Sequence, residues 1–253
     1  MARHCEPIPE PIGLRPATSI TLDCRHSSGR QEIMTTALVT GASRGIGLEL
    51  ARKLTARRTQ VIATCREPSP ELSSLDLLVE SGVEMHNLES ISSLGERLRG
   101  TPIDILIHNA GVLVADDFES LDLQDLRLQF EVNALGPLML TRHLRSNLGR
   151  GSKVIIITSL MGSIADNGSG GFYGYRMSKA AVNMAGVSLA RDLKATGVSV
   201  LLVHPGYVRT RMTGYNGTTE PSDSAKGILE QIDRLTLETS GRFVRMNGDE
   251  LPW

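Results

Sequence analysis

"TALVTGASRGIGLELARKLTAR", residues 36–57, runs from a short apolar stretch through a glycine-rich turn into an amphipathic helix. The first five residues are apolar or β-branched and end at a glycine, as a strand buried on both faces should. Gly41, Gly45 and Gly47 let the chain turn tightly and bring its backbone close to a phosphate. The helix that opens there offers unpaired N–H groups and the positive end of its dipole. Their spacing, G-x-x-x-G-x-G, differs from the commoner G-x-G-x-x-G. Glycines alone would be weak evidence; the strand before and the helix after make the stretch a phosphate-binding βα turn, with Ser43, Arg44 and Ile46 beside the glycines.

The same alternation continues outward. Apolar runs recur at "QVIAT" (60–64), "VEMHNL" (83–88), "IDILIHN" (103–109), "KVIIITS" (153–159), "VSVLLVH" (198–204) and "RFVRM" (242–246). Helical stretches lie between them, among them 121–148 and 178–197. In the latter, Ala181, Met184, Ala185, Val187, Ser188 and Leu189 suggest a small-residue packing face. Seven strands alternating with helices predict an α/β, Rossmann-like doubly wound sheet, mostly parallel, in a single domain over 34–253. Residues 1–33 read differently: Pro7, Pro9, Pro11 and Pro16 oppose a helix, and no apolar core of a signal peptide is present. We expect a flexible extension there, with Met34 as an alternative start and organelle targeting a weaker reading.

Composition narrows the function. A net charge of −1 over 253 residues gives no basic field for nucleic acid and no polybasic face for a membrane. Apolar runs are too short to cross a bilayer. Three cysteines without a CxxC pair suit a reducing, cytoplasmic setting. The six histidines are scattered and none sits at ligand spacing, so no metal is expected.

"GGFYGYRMSKAAVNMA" (170–185) holds the chemistry. Read as a helix start, Tyr175 and Lys179 are at i and i+4, about 6 Å apart along the axis and about 40° around it. Tyr173 lies well off that shared face. An ammonium near a phenol should lower a pKa that is ordinarily about 10, so the tyrosine can trade a proton in both directions.

Taken in order, "TGASRGIG", "HNAG" (108–111), Asn133 in "FEVNALGP", Ser159 in "IIITSLMG", "YRMSK" (175–179) and "HPGYVRT" (204–210) resemble the short-chain dehydrogenase/reductase family. Two segments, "GSIADNGSGGFYGYRMSKAAVNMA" and "GRFVRMNGDELPW", are similar to its C-factor and sniffer-type carbonyl reductases. The resemblance implies Tyr175 as acid/base, with Lys179 also holding the nicotinamide ribose and Ser159 the substrate oxygen. It implies that Asn133 holds a water linking Lys179 to solvent, and that Asn109, Ala110 and Gly111 line the cofactor. Pro205, Gly206, Val208 and Thr210 would lie near the carboxamide, and Asn87, where an aspartate is usual, near the adenine. His108 replaces the first asparagine of the usual "NNAG" and reads as a structural neighbour. Ser163 is a rival to Ser159, but "TSLMG" is in the family register.

An NAD site uses an acid at the end of its second strand. Here Thr64, Cys65 and Arg66 fill those positions, and Arg66 with Arg44 suits the 2′-phosphate of NADP. The expectation is an NADPH-dependent reductase of a ketone or aldehyde, or the reverse alcohol oxidation. Its substrate would meet Tyr173, Met212 and Tyr215, with 211–223 as a lid and 166–171 as a flexible lip. Alternatives are a 3-oxoacyl-carrier-protein reductase and an NADP-binding signalling protein of C-factor type. The family also implies a homodimer or homotetramer through 121–148 and 178–197.

Overall fold

The computed structural model describes residues 35–253, so the extension expected over 1–33 lies outside the described residues. β1 (Thr36–Thr40) passes through the glycine loop into α1 (Gly45–Ala56), followed by β2 (Gln60–Thr64), the single turn α2 (Pro70–Ser73) and β3 (Leu78–Glu80). Next come α3 (Leu88–Arg97) and β4 (Ile105–His108). α4 (Leu123–Phe130) runs through one wide π turn (Glu131–Leu135) into α5 (Gly136–His143). β5 (Lys153–Ile157), α6 (Tyr173–Asp192), β6 (Ser199–His204), α7 (Pro221–Arg234) and β7 (Phe243–Arg245) complete the order.

All seven strands pair in parallel, in the order β3-β2-β1-β4-β5-β6-β7. Strand order reverses between β1 and β4, and in open α/β sheets the crevice beyond the carboxyl ends at that point takes the ligand. Successive strand residues face opposite sides. Ala37 and Val39 pack with Leu50 and Leu54 of α1 and Ile228 and Ile232 of α7. Leu38 points the other way, into a second core with Ile91 and Leu94 of α3, Leu140 of α5 and Val182 of α6. Two buried faces explain why the strands read as unbroken apolar runs. The doubly wound single domain is as expected.

Four details differ from the sequence reading. The third strand is Leu78–Glu80, not 83–88. Val83 and Met85 are buried in alternation there, which imitates a strand, but Asn87 N bonds Glu84 O in a turn and Asn87 then caps α3. The stretch 121–148 is not one helix, because the π turn and a 3₁₀ turn at Arg145–Asn147 interrupt it. On α6 the inward face is Gly174, Tyr175, Ser178, Lys179, Val182, Asn183, Gly186 and Ala190. The small-residue face of the sequence reading is split: Ala181 and Leu189 pack against the second core, whereas Ser188 and Met184, the latter 69% exposed, point outward. Finally, the expected lid over 211–223 is cut short: Arg211–Thr213 is a 3₁₀ turn and Pro221 opens α7 from its first turn, where proline is tolerated.

Candidate active site

The glycine loop is built from beneath. The Thr40 hydroxyl accepts from Asn109 N and Ala110 N, both at 3.0 Å, and Asn109 Nδ2 donates to Thr40 O and Gly41 O. These bonds tie the end of β1 to the segment after β4. A Cβ on Gly47 would collide with Gly41 O and stand 2.5 Å from Asn109 Nδ2; one on Gly41 would stand 2.9 Å from Ala110 Cα. Gly41 and Gly45 are also left-handed, at φ 66° and 56°. α1 has no side-chain cap at Arg44 and no acid in its first turn, whereas α3 and α4 are capped by Asn87 and Asp122. A side-chain-free cradle ending at an uncapped, undamped helix N-terminus fits a diphosphate. Thr210 closes over it, its methyl 3.3 Å from where a Cβ on Gly45 would be.

The side chains expected to carry chemistry gather at the carboxyl end of β5. Tyr175 occupies the first turn of α6, and Lys179 Nζ lies 5.7 Å from the centre of its ring, as the i, i+4 spacing requires. Lys179 Nζ donates to Ile157 O at 2.9 Å, fixing it against the end of β5. Ser159 follows that strand, and Met161 N donates to its hydroxyl at 3.1 Å. Gly162 brings this turn against α6, since a Cβ there would stand 2.9 Å from Lys179 Cβ. Ser159, Tyr175 and Lys179 are all at least nine-tenths buried. Ser163 instead accepts from Asp166 N within its own turn.

One electrostatic expectation is corrected. Burial pushes the Tyr175 phenol up to about 12, against which a hydrogen bond from Ser159 pulls down. The same burial pushes the Lys179 ammonium down to about 8. The charged forms of both groups are penalised by the same burial. The protein alone therefore holds Tyr175 as a protonated acid.

Asn133 stands on the π turn, where its carboxamide clamps a backbone. Its Oδ1 accepts from Val112 N at 2.9 Å, and its Nδ2 donates to Val112 O and to Ser178 Oγ. Three of its four bonds are taken, leaving one lone pair facing Gly111, whose Cβ would come 3.2 Å from Oδ1 and 3.7 Å from Lys179 Nζ. Asn133 is thus brought beside Lys179. Asn87 spends its oxygen capping α3, leaving only its NH₂ for a ligand. Arg44 and Arg66 are exposed beside the glycine loop and β2. Pro205 and Gly206 follow β6, where Pro205 O accepts from Ser224 of α7, and Val208 is buried. His108 is buried and bonded to Thr141, the structural role expected of it.

Tyr173, the first residue of α6, packs on Phe118 with ring centres 6.3 Å apart. Met212 and Tyr215 are 43% and 65% exposed on the 3₁₀ turn and just after it. Arg176 reaches back to Gly171 O and Ser169 Oγ, so the lip over 166–171 is stapled to α6. Sequence reasoning missed Thr40, Asp116, Phe118, Gln129 and Ser178. A signal for Asp116 was present: "GGF" before Tyr173 offers no capping side chain of its own, so the cap had to come from elsewhere.

A family model described as short chain dehydrogenase matches residues 35–221. The chain belongs to the short-chain dehydrogenase family. It is an oxidoreductase of the alcohol–carbonyl type. A relative from Rhodococcus sp. (strain AD45), 1-hydroxy-2-glutathionyl-2-methyl-3-butene dehydrogenase, is 44% identical over 226 residues, covering 87% of this chain and all of the relative. C-signal of Myxococcus xanthus is 45% identical over 155 residues, 60% of this chain and 93% of that protein. Among solved structures, NADPH-bound carbonyl reductase from chicken fatty liver superposes with a TM-score of 0.78 at 30% identity, covering 87% and 99% of the two chains.

Proposed function

We propose that this chain is an NADP(H)-dependent carbonyl reductase that also runs the reverse alcohol oxidation on a small-molecule substrate. The observation that carries the reading is the convergence of Ser159, Tyr175 and Lys179 in one dry pocket beside the glycine cradle. The cofactor supplies or accepts hydride at its nicotinamide. Gly41, Ser43, Arg44, Gly45, Ile46 and Gly47 would hold its diphosphate, Arg66 and Arg44 its 2′-phosphate, and Asn87 its adenine. Asn109, Ala110, Gly111, Pro205, Gly206, Val208 and Thr210 would line its nicotinamide half. The chain's own groups manage the proton. Ser159 orients the substrate oxygen, and Tyr175, protonated well above neutrality, donates to it in the reducing direction. Lys179 keeps its charge below about pH 8 and steadies the phenolate left behind, with Asn133 linking it to water. Exclusion of bulk water strengthens each of these contacts.

Tyr173 with Phe118, and the exposed Met212 and Tyr215, would border the substrate, a lining that favours an apolar one. The Rhodococcus relative is named for alcohol oxidation, the same step reversed. A carrier-protein substrate needs a basic rim, and Arg209, one of three candidate cations with Arg211 and Lys226, is paired with Glu220 at 3.4 Å. The C-signal likeness keeps a signalling role in view, while the intact Tyr175, Lys179 and Ser159 favour catalysis. We also infer a cytoplasmic homo-oligomer.

NADPH oxidation against a panel of ketones, aldehydes and quinones tests the activity. Tyr175→Phe should keep cofactor binding and lose at least about a hundredfold in turnover, the scale of acid–base catalysis. Unchanged turnover in that variant would remove the catalytic assignment. Arg66→Asp should weaken NADPH binding more than NADH binding; equal affinities for wild type and variant would overturn the NADP preference.

A further inference from the structure

Tyr175 stands only two residues into α6, so its hydroxyl is placed by whatever pins that helix end. The local sequence does not do it. Gly170, Gly171 and Phe172 are three consecutive left-handed residues, at φ 64°, 63° and 51°. Phe172, in the capping position, has no side-chain acceptor to offer. Left-handed backbone is unfavourable for a phenylalanine, so some other contact must enforce it.

That contact is Asp116, far away in sequence. Its Oδ1 accepts from Tyr173 N, its Oδ2 from Gly174 N at 3.0 Å, and its own carbonyl from Phe172 N at 2.9 Å. Three successive N–H groups of the helix start converge on one residue. Asp116 is itself fixed in register. Along the extended segment after β4, Val112 is clamped by Asn133, Val114 N donates to Gln129 Oε1 at 3.0 Å, and Asp116 then meets α6. Alternate residues of one strap are therefore bound in turn by the π turn, by α4 and by the start of α6. The approach is close: a Cβ on Gly174 would collide with Gln129 Nε2 and stand 2.9 Å from Leu126 Cδ2.

We propose that Asp116 is a positioning residue for the reaction: it fixes the first turn of α6, and with it the Tyr175 hydroxyl, relative to the strap that runs from the cofactor loop. It acts through Tyr173 and Gly174 and touches neither substrate nor cofactor. The inference rests on the reading of Tyr175 as the proton donor.

The test compares kcat, KM for NADPH and the thermal midpoint in wild type, Asp116→Ala, Asp116→Asn and Tyr175→Phe. Displacement of a catalytic group by about 1 Å can lower a rate by about a hundredfold. Asp116→Ala should therefore lose tenfold or more in kcat, while KM for NADPH stays within twofold. Asp116→Asn should recover most of that loss, because one carboxamide oxygen can serve two N–H donors, as Asn87 does for Glu89 and Ser90. A lower thermal midpoint with kcat unchanged in the folded Asp116→Ala protein would overturn the proposal. So would a failure of Asp116→Asn to recover activity while it melts like wild type. If Asp116→Ala does not fold, Asp116→Asn at least tenfold below wild type with a normal midpoint overturns it, and near wild-type kcat upholds it. Tyr175→Phe with undiminished turnover would instead remove the acid/base reading itself, a result that the Asp116 variants cannot produce.

Discussion

His108 shows how one buried side chain sets a pH limit on the fold. Its Nε2 meets Thr141 Oγ1 at 2.7 Å, and Thr141 in turn donates to Pro137 O at 2.8 Å. The threonine hydrogen is thus committed, so the histidine must donate, which leaves Nδ1 a buried lone pair without a partner. A second proton has nowhere favourable to go, and burial lowers the imidazole to about 3 from an ordinary 6.5. With the folded value below the unfolded one, the unfolded chain binds more protons between those limits. Stability is therefore fully present above about pH 6.5 and falls as pH drops toward 3, at a slope approaching 1.4 kcal/mol per unit, roughly, for a single site. His204, lowered to about 4 by burial and by Arg245, adds to the same slope. His108→Asn should flatten it: urea midpoints at pH 7 and pH 4.5 should differ less in the variant than in the wild type. An equal difference would show that His108 does not carry the acid sensitivity. The tyrosine–lysine pair teaches a related lesson. Their spacing was legible in the sequence, but the sign of the Tyr175 shift was not, because it depends on how dry the pocket is.

At the scale of elements, α1 and its glycine loop were readable since local chemistry dictates them: a turn that admits no Cβ is written as glycine. The prediction that belongs here is Gly47→Ala. The added methyl would collide with Gly41 O and crowd Asn109 Nδ2, so the loop must open and the phosphate cradle with it. NADPH affinity should fall at least about tenfold by fluorescence titration, since a close backbone approach is what the site requires. Unaltered binding would mean that the loop relaxes freely. Other elements were hidden for equally physical reasons. Val83 and Met85 alternate like a strand because they are buried beside a turn, one under α3 and the other against Gly136. The face of α6 was only partly readable because its inward side carries polar residues: Ser178, Lys179 and Asn183 point into the protein, each bonded there, and periodicity of apolar residues cannot find them. That α6 lacks a cap of its own was legible before Tyr173, but Asp116 as its supplier was not, being a contact between segments that only the folded sheet brings together.

For the whole molecule, the parallel sheet determines which helix faces remain as surface. Leu123, Leu128, Phe130 and Leu135 on α4 and the π turn, with Met177 and Met184 on α6, are exposed apolar side chains on the helices expected to pair. Exposed apolar surface of this kind marks association sites. Met184→Glu should shift the protein toward monomer by light scattering, and an unchanged mass would place any interface elsewhere. Among the described residues no helix is long and apolar enough to cross a membrane. The strand order carries a kinetic consequence. β1 can pair with β2 across a short crossover, yet its other neighbour, β4, must be brought in across the whole of Gly41–Asp104. Parallel ladders close long loops before any contact rewards them. Refolding from urea should accordingly be slow for a chain of this size, and the half-made sheet, with the edge of β1 bare, is the species in which aggregation would compete.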